Sequence, residues 1–417
     1  MMPTPHLEEI IREQNERFVA QDPGIDRDID LERYRNTPQI VVISGVRRSG
    51  KSTLLRQFAV LYPAFLYVNF DDDRLMGFAV TDFSALMLVF SKMSDETRVI
   101  FIDEIQNVPG WERFVRRLRD EGYKVFLTGS NAHLLSAELG THLTGRYTQI
   151  TLYPFSFKEV LRFRGISIDR MTQKKRALIL REFDRYIDTG GFPEFVKTGD
   201  WDVLKRTHDD ILFRDVIVRF GIREVRTFRQ LSQYLFTNIA NMVSYNALKK
   251  TLGIRSVTSV RDYLGFLREA FLVFELFRYD CSLKKQYVTE KKCYVVDNGM
   301  RNAVAFRFSE DRGRLLENMI FIELSRRGES VYFFKDSGEC DFIIEDRGKI
   351  ISAVQVCFNL VLENRERELS GLVKTMQAFH LDEGVILTNN QEETILYEGF
   401  SIRIEPAWMW LLGLDKE

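Results

Sequence analysis

The chain is poor in the residues that mark disulfide-stapled or zinc-binding proteins. Among its 417 residues there are 4 cysteines, 5 histidines and 9 prolines. The cysteines form no C-x-x-C pair and have no histidines at ligand spacing, so we expect neither a zinc site nor a disulfide framework. Scattered thiols in a chain of this length favour a reducing compartment, and we predict a cytoplasmic protein. The cysteines are Cys281, Cys293, Cys340 and Cys357.

An excess of charge of either sign is also missing. Lys plus Arg number 59 and Asp plus Glu number 60, for a net charge of −1. This balance excludes a globally basic nucleic-acid binder, so any such contact must come from a local patch. No apolar run approaches the roughly 20 residues that span a bilayer, and the first residues lack the pattern of a signal peptide. We therefore expect no membrane partner.

The length exceeds what one hydrophobic core organises, which predicts several domains. Short apolar strands alternate with helical stretches up to about residue 152, a pattern typical of a doubly wound α/β domain with a parallel sheet. A helical part follows, and the last part returns to mixed α/β. The predicted division is a helical lead-in (1–36), an α/β core (37–153), a helical extension or lid (154–227), a middle domain (228–300) and a C-terminal α/β domain (301–417).

A glycine-rich motif follows the first predicted strand. Its pattern is G-x-x-x-x-G-K-[ST], and an amphipathic helix continues from it. Such a loop turns backbone N–H groups toward phosphates, with the helix N-terminus adding its dipole. Lys51 is predicted to bind the β- and γ-phosphates and Ser52 to ligate Mg²⁺. The predicted nucleotide-binding residues are Gly45, Val46, Arg47, Arg48, Ser49, Gly50, Lys51, Ser52 and Thr53.

Two adjacent carboxylates end another apolar strand about fifty residues later. Asp103 closes the run Val-Ile-Phe-Ile and is predicted to hold the Mg²⁺. Glu104 is predicted to orient and deprotonate the attacking water. Either acid alone would be an ordinary helix cap, whereas the pair together with the glycine-rich motif predicts an ATP and Mg²⁺ site.

Two further catalytic candidates come from polar residues near strand ends. Ser130, with Asn131 as the alternative, is predicted to sense the γ-phosphate or the water, and a turn that caps the next helix is equally compatible. Arg146 is predicted to supply transition-state charge, in cis or to a neighbouring chain, against the ordinary case of a solvated arginine.

In this order the motifs resemble a family of archaeal and bacterial AAA-type ATPases that carry a C-terminal domain of unknown function. Narrower matches to that family are the segments Leu-Tyr-Pro-Phe-Ser-Phe (152–157), Gly-Gly-Phe-Pro-Glu (190–194) and Tyr-Val-Val-Asp-Asn-Gly (294–299). The resemblance covers nearly the whole chain. It implies that Pro193 packs near the adenine, although glycine and proline also break helices without any ligand.

The middle domain has the order of a winged helix-turn-helix, with helices near 244–253 and 256–268 and two strands as the wing. The second helix of that motif enters the major groove of DNA. DNA and protein contact remain equally open, because winged helices serve both. The predicted phosphate contacts are Lys249, Lys250, Arg255, Arg261, Lys284 and Lys285.

The C-terminal domain resembles the restriction-endonuclease-like fold. Glu317 on a helix, Asp341 on a strand and Gln355 on the next strand follow the order of that fold's metal-binding acids. The position of the catalytic lysine holds Cys357, whose neutral thiol cannot supply its charge. We predict a degenerate, inactive or merely binding site, unless Lys335 or Lys349 substitutes from elsewhere.

The predicted function is Mg²⁺-dependent ATP binding and hydrolysis that drives a conformational switch, with DNA as an open partner. A slowly hydrolysing regulatory switch and an ATP-controlled nuclease are the alternatives. A protein partner and an oligomer are both compatible with the sequence.

Overall fold

The structure is a computed structural model that describes residues 3–129, 145–306, 311–336 and 338–414. The chain forms two compact units, residues 1–153 and 154–417. Within the described residues, no helix has the length and apolar character required to cross a membrane.

A five-stranded parallel sheet organises the first unit, in the order β2-β3-β4-β1-β5. Strands β1, β3 and β4 are almost wholly buried, as expected for a parallel sheet that is covered on both faces. The α/β fold class is confirmed. The strands are β1 (Ile40–Gly45), β2 (Leu66–Asn69), β3 (Val99–Asp103), β4 (Lys124–Gly129) and β5 (Tyr147–Leu152).

Successive residues of strands β1 to β4 enter two separate cores, one on each face of this sheet. On β1, for example, Ile40 and Val42 belong to one cluster and Val41 and Ile43 to the other. Helices and irregular segments cover both faces. The helices are α1 (Thr4–Ala20), α2 (Leu31–Asn36), α3 (Lys51–Ala59), α4 (Phe83–Met93) and α5 (Glu112–Asp120).

The second unit begins with helices, as the sequence predicts. A π-helical stretch, Ile211–Val218, continues the fourth of them. The helices are α6 (Phe157–Phe163), α7 (Gln173–Thr189), α8 (Pro193–Thr198), α9 (Trp201–Asp210) and α10 (Val225–Thr237).

A small three-stranded antiparallel sheet follows, in the order β6-β8-β7. Two helices precede its hairpin, each with a serine N-cap, Ser244 and Ser256, whose hydroxyl accepts a backbone N–H. The elements are β6 (Met242–Val243), α11 (Tyr245–Leu252), α12 (Val257–Glu269), β7 (Val273–Phe277), α13 (Leu283–Val288), β8 (Lys291–Val295) and α14 (Asn298–Val304).

A six-stranded mixed sheet completes the second unit, in the order β13-β14-β12-β11-β10-β9. Strands β9, β10 and β11 pair antiparallel, and β12 joins β11 in parallel after a crossover helix. The sequence predicts a mixed α/β domain here, but that prediction does not include the last two strands and the last helix. The elements are α15 (Arg312–Arg327), β9 (Ser330–Lys335), β10 (Glu339–Asp346), β11 (Lys349–Val356), α16 (Leu362–Phe379), β12 (Glu383–Thr388), β13 (Glu393–Tyr397), β14 (Phe400–Pro406) and α17 (Ala407–Leu412).

Candidate functional site

The glycine-rich loop connects β1 to α3 at the carboxyl edge of the parallel sheet. Gly50 has a φ of 97° at the N-cap of α3, a backbone conformation that favours glycine. The buried Lys51 ammonium donates to the carbonyl oxygens of Gly45 and Val46, at 3.1 and 3.2 Å. The Ser49 hydroxyl is fully buried and has no hydrogen-bond partner in the described part of the chain. A buried hydroxyl without a partner inside such a loop fits a site for a phosphate group. The remaining predicted loop residues, Arg47, Arg48, Ser52 and Thr53, lie in this turn or in the first turn of α3.

Asp103 brings the second motif to the same edge. It is the last residue of β3 and is buried, and the Ser52 hydroxyl lies close enough to favour its charged form. Tyr67 Oη donates to Asp103 Oδ2 at 3.3 Å, and Thr128 Oγ1 donates to Oδ1. Burial raises the pKa of Asp103, the neighbouring Glu104 raises it further, and the Thr128 and Ser52 bonds oppose the shift. A serine hydroxyl and a carboxylate in contact are oxygen ligands of the kind that Mg²⁺ takes.

Glu104 stands in a strained backbone conformation. Its φ of 53° and ψ of 45° lie in the left-handed region, which is uncommon for residues other than glycine and is found at functional sites. Glu104 N donates to Thr128 Oγ1 at 3.0 Å, and the Gln106 side-chain amide donates to the carboxylate. Thr128 therefore contacts both acids.

Arg27 was missed by sequence reasoning, because an arginine between two aspartates is an ordinary surface pattern. It is only 8% exposed. One guanidinium nitrogen donates to Ser49 O at 2.9 Å and another to Tyr153 O at 2.7 Å. The Gln57 side chain also donates to Pro23 O at 2.9 Å. The segment before α2 is thereby attached to the glycine-rich loop and to the C-terminal half of α3.

The other predicted catalytic residues are Ser130 and Arg146. Ser130 and its alternative Asn131 lie outside the described residues, whereas Thr128, two residues earlier, contacts the acids. Arg146 precedes β5, and its carbonyl accepts from Ile40 N at the start of β1. The loop follows the other end of β1, at Gly45, five residues and about 16 Å away at roughly 3.3 Å per residue. An arginine side chain does not span that distance, so the structure does not bring Arg146 to the loop of its own chain.

One residue from each of the three narrower motifs meets the others inside the second unit: Phe155, Gly191 and Asp297. Phe155 N donates to Gly191 O, and Gly191 N donates to Asp297 Oδ2, both at 2.7 Å. A Cβ added to Gly191 would stand 2.0 Å from Phe155 O, so no larger residue fits there. Burial raises the pKa of Asp297 to about 6, although backbone N–H donors oppose the shift. Pro193 begins α8 next to this junction, and its predicted place near the adenine stays a prediction.

The acids of the C-terminal part form a second cluster. Glu317 on α15, Asp341 on β10 and Gln355 on β11 line one cleft, as their order predicts. The lysine that reaches them is Lys292 on β8, which sequence reasoning missed. Lys335 and Lys349 do not substitute: Lys335 is half exposed near Glu339, and Lys349 is exposed at the start of β11. Lys292 gave no local signal, because it lies 49 residues before Asp341 on another sheet.

Charge and burial set the protonation of this cluster. Burial alone would lower the pKa of Lys292, but the charges of Asp341 and Glu317 outweigh it and the pKa is raised. Burial and the Asp341 charge raise the pKa of Glu317, while the Lys292 charge and the Tyr294 hydroxyl oppose the shift. Burial also raises the pKa of the Cys357 thiol to about 11, so it supplies no charge at neutral pH. Across the described ranges, no three His, Cys, Asp or Glu side chains are grouped so as to hold a metal ion.

Comparison with known proteins places the chain among AAA proteins. A family model described as an AAA domain matches residues 37–161, and a model of a domain of unknown function matches residues 180–311. The chain is 35% identical over 428 residues to the uncharacterized protein MJ1544 of Methanocaldococcus jannaschii, covering 97% of this chain and 95% of that one. It is also 35% identical over 400 residues to an uncharacterized protein of Haemophilus influenzae, covering 91% and 96%.

Solved structures show fainter likenesses. The Aeropyrum pernix ORC1 protein, solved in complex with DNA, aligns at 14% identity with a TM-score of 0.29, covering 73% of this chain and 92% of that one. Saccharomyces cerevisiae RIF2 aligns at 11% identity with a TM-score of 0.26, covering 45% and 80%. These scores are too low to support an argument about function.

The AAA-domain match agrees with the geometry at the carboxyl edge of the parallel sheet, where the loop, Ser52 and Asp103 meet. The chain belongs to the family of these relatives, AAA-type P-loop proteins whose nucleotide-binding domain is followed by a domain of unknown function.

Proposed function

We propose that the chain binds ATP with Mg²⁺ and hydrolyses it, and that turnover drives a conformational switch. The observation that carries the proposal is the contact of Asp103 with Ser52 beside Lys51. These residues combine a cation for phosphate oxygens with two oxygen ligands for a divalent ion.

Each residue has a distinct role in this proposal. Lys51 binds phosphate oxygens, while Ser52 and Asp103 hold the metal. Glu104, projecting from a strained backbone one residue after Asp103, accepts a proton from water. Thr128 positions both acids through its hydroxyl. A bound Mg²⁺ would supply charge stabilisation for the transferred phosphoryl group.

The test is ATP turnover by the full chain with Mg²⁺, measured as phosphate release, against Lys51→Ala. Lys92→Ala is the matched control, because that lysine is 56% exposed and pairs with Glu8. We expect turnover in the wild-type chain and the control and its loss in Lys51→Ala. Wild-type turnover no higher than that of Lys51→Ala would refute hydrolysis. Tight nucleotide retention with such slow turnover would support the regulatory-switch alternative.

DNA contact by the middle part is a second candidate function, favoured by the exposed cations around α11 and α12. A cleft of about 550 Å³ lies between α12 and the β7–β8 hairpin, and Arg261, Arg268 and Lys291 line it with Glu275 as its one acid. Such a groove beside a helix fits a phosphate backbone. All the cations predicted from sequence are exposed: Lys249, Lys250, Arg255, Arg261, Lys284 and Lys285.

The binding test compares two triple variants of equal charge change by fluorescence anisotropy on duplex DNA. One variant replaces Lys249, Lys250 and Arg261 with alanine. The control replaces Lys174, Arg185 and Lys197, exposed cations of α7 and α8. We expect the first variant alone to lose affinity and to lower the salt slope by about 2–3. Equal affinities of the two variants would instead favour a protein-directed switch.

A further inference from the structure

A cleft of about 540 Å³ in the second unit contains the second acid cluster. Among the residues that line this cleft, the Lys292 ammonium lies between two carboxylates. Its Nζ is 2.6 Å from Asp341 Oδ1 and 2.9 Å from Glu317 Oε1. All three side chains are at most 13% exposed. The cation is therefore enclosed by the carboxylates that a divalent metal would need.

The acids have further partners within the chain. Glu317 Oε1 also accepts from Tyr294 Oη at 2.7 Å, and Asp341 Oδ2 accepts from Val356 N at 3.1 Å. Charged groups held this way are desolvated but compensated, which is the condition for keeping an ion pair in a protein interior.

Gln355 is fixed in the same way. Its carbonyl oxygen accepts from Asp341 N at 3.0 Å, and its amide donates to Glu368 Oε2 at 2.7 Å. Gln355, the third residue of the predicted metal-binding pattern, therefore has both its carbonyl oxygen and its amide bonded to protein groups.

Lys292 is held in place by its backbone. It lies on β8, the central strand of the small sheet, and pairs with Met242 on one side and Leu276 on the other. This pairing fixes the Lys292 backbone, and its side chain is only 6% exposed and bonded to both acids. This distinguishes Lys292 from a lysine on a loop, which could move aside for an incoming metal.

We propose that the Lys292 ammonium is a resident cation that replaces a divalent metal between Glu317 and Asp341. The cleft is then a metal-free ion-pair centre, which ties the small sheet to the six-stranded sheet and does not cleave phosphodiesters. Removing the ammonium leaves two buried carboxylates without a cation and opens a divalent-metal site. The proposal is independent of ATP hydrolysis in the first unit.

The metal test counts Mn²⁺ ions bound per full-length chain by electron paramagnetic resonance, without nucleotide. We expect Lys292→Met to bind one more Mn²⁺ than the wild type, and the extra ion to disappear in Lys292→Met with Asp341→Asn. Lys291→Met is the matched control, because that neighbouring ammonium donates to the carbonyls of Tyr287 and Thr289 at 3.0 Å. A folded Lys292→Met chain that gains no ion would overturn the proposal.

A second comparison requires no lysine variant and so does not depend on its folding. Wild type and Asp341→Asn are measured for Mn²⁺ binding and for cleavage of supercoiled DNA with Mn²⁺. We expect the two proteins to bind the same number of ions and neither to cut DNA. Wild-type binding or cutting that Asp341→Asn abolishes would show that a metal enters beside Lys292, and would restore the nuclease alternative.

Discussion

The two acid-containing sites use a lysine in opposite ways. At the carboxyl edge of the parallel sheet, Lys51 donates to neutral carbonyl oxygens, and the Asp103 carboxylate is met by hydroxyls. In the second unit, Lys292 is bonded directly to the carboxylates of Glu317 and Asp341. A lysine held by neutral acceptors keeps its charge for a ligand, whereas one enclosed by two acids has its charge neutralised within the fold.

The backbone positions of Lys51 and Lys292 also differ between the two sites. Lys51 begins a helix after a turn that requires Gly50 in a left-handed conformation. Lys292 belongs to a strand paired on both edges. The first arrangement places a cation next to space for a ligand, and the second builds the cation into the packing. Sequence order alone does not separate these cases, because each site combines a buried lysine with acids that lie far from it in the chain.

The largest expected effect tests the first site. Glu104→Gln removes the proton acceptor and keeps its size, so we expect ATP turnover to fall by about 10²–10⁴-fold with nucleotide binding retained. Phosphate release and titration with a fluorescent nucleotide measure the two quantities. Glu121→Gln, an exposed acid after α5, is the control. A variant that keeps more than a tenth of the wild-type rate would remove Glu104 from the catalytic role.

Breaking the second site should cost stability. Lys292→Met leaves two buried carboxylates uncompensated, and we expect the free energy of unfolding to fall by about 3–5 kcal/mol. Urea denaturation measures it, with Lys291→Met as the control, expected to cost less. Adding Asp341→Asn to Lys292→Met should recover part of the loss. Equal costs for the two lysine variants would show that the ion pair contributes little beyond packing.

Asp297 extends the comparison of the two sites, because it is a buried carboxylate that is bonded to backbone N–H groups and not to a lysine. Its folded pKa of about 6 exceeds the ordinary aspartate pKa of 3.8, so the folded state binds the proton more tightly than the unfolded state. Its contribution to stability is therefore full below about pH 4 and lost as pH rises through 6, by about 3 kcal/mol.

The measurement is urea denaturation of wild type and Asp297→Asn at intervals from pH 4 to 7. Asparagine keeps the size and one acceptor oxygen but does not titrate. We expect the variant to be less stable than the wild type at pH 4 and to lack this part of the pH slope. An unchanged slope would assign the pH dependence to other groups.

The smallest effect concerns Thr128, the threonine that contacts both acids of the first site. Thr128→Val keeps the shape and removes the hydroxyl, so we expect kcat to fall about tenfold, or about 1.4 kcal/mol, with little change in KM. Thr128→Ser should restore most of the rate. A higher KM with an unchanged kcat would instead show that Thr128 acts on the loop and not on the acids.

Much of the first unit could be predicted because its signals are local. The strand Val99–Asp103 was predicted to the residue, and the glycine-rich loop follows directly from its motif. The last strands of the second unit, Glu393–Tyr397 and Phe400–Pro406, were missed. The strand Glu393–Tyr397 is mostly exposed and shows neither a continuous apolar run nor an alternation. The strand Phe400–Pro406 does alternate apolar and polar residues, a signal that the sequence prediction did not use.

The sequence by itself determined the α/β class, the glycine-rich loop and the adjacent acids Asp103 and Glu104. These depend on periodicity and on neighbouring residues, which the chain order contains. Only the tertiary structure decided that Thr128 contacts both acids, that Arg27 holds the loop, and that Lys292 occupies the second cluster. Those contacts join residues 22 to 126 positions apart in the chain, and such separations leave no pattern in the sequence. The physical reason is that hydrogen bonds and ion pairs depend on distance in space, which the fold sets after the local elements have formed.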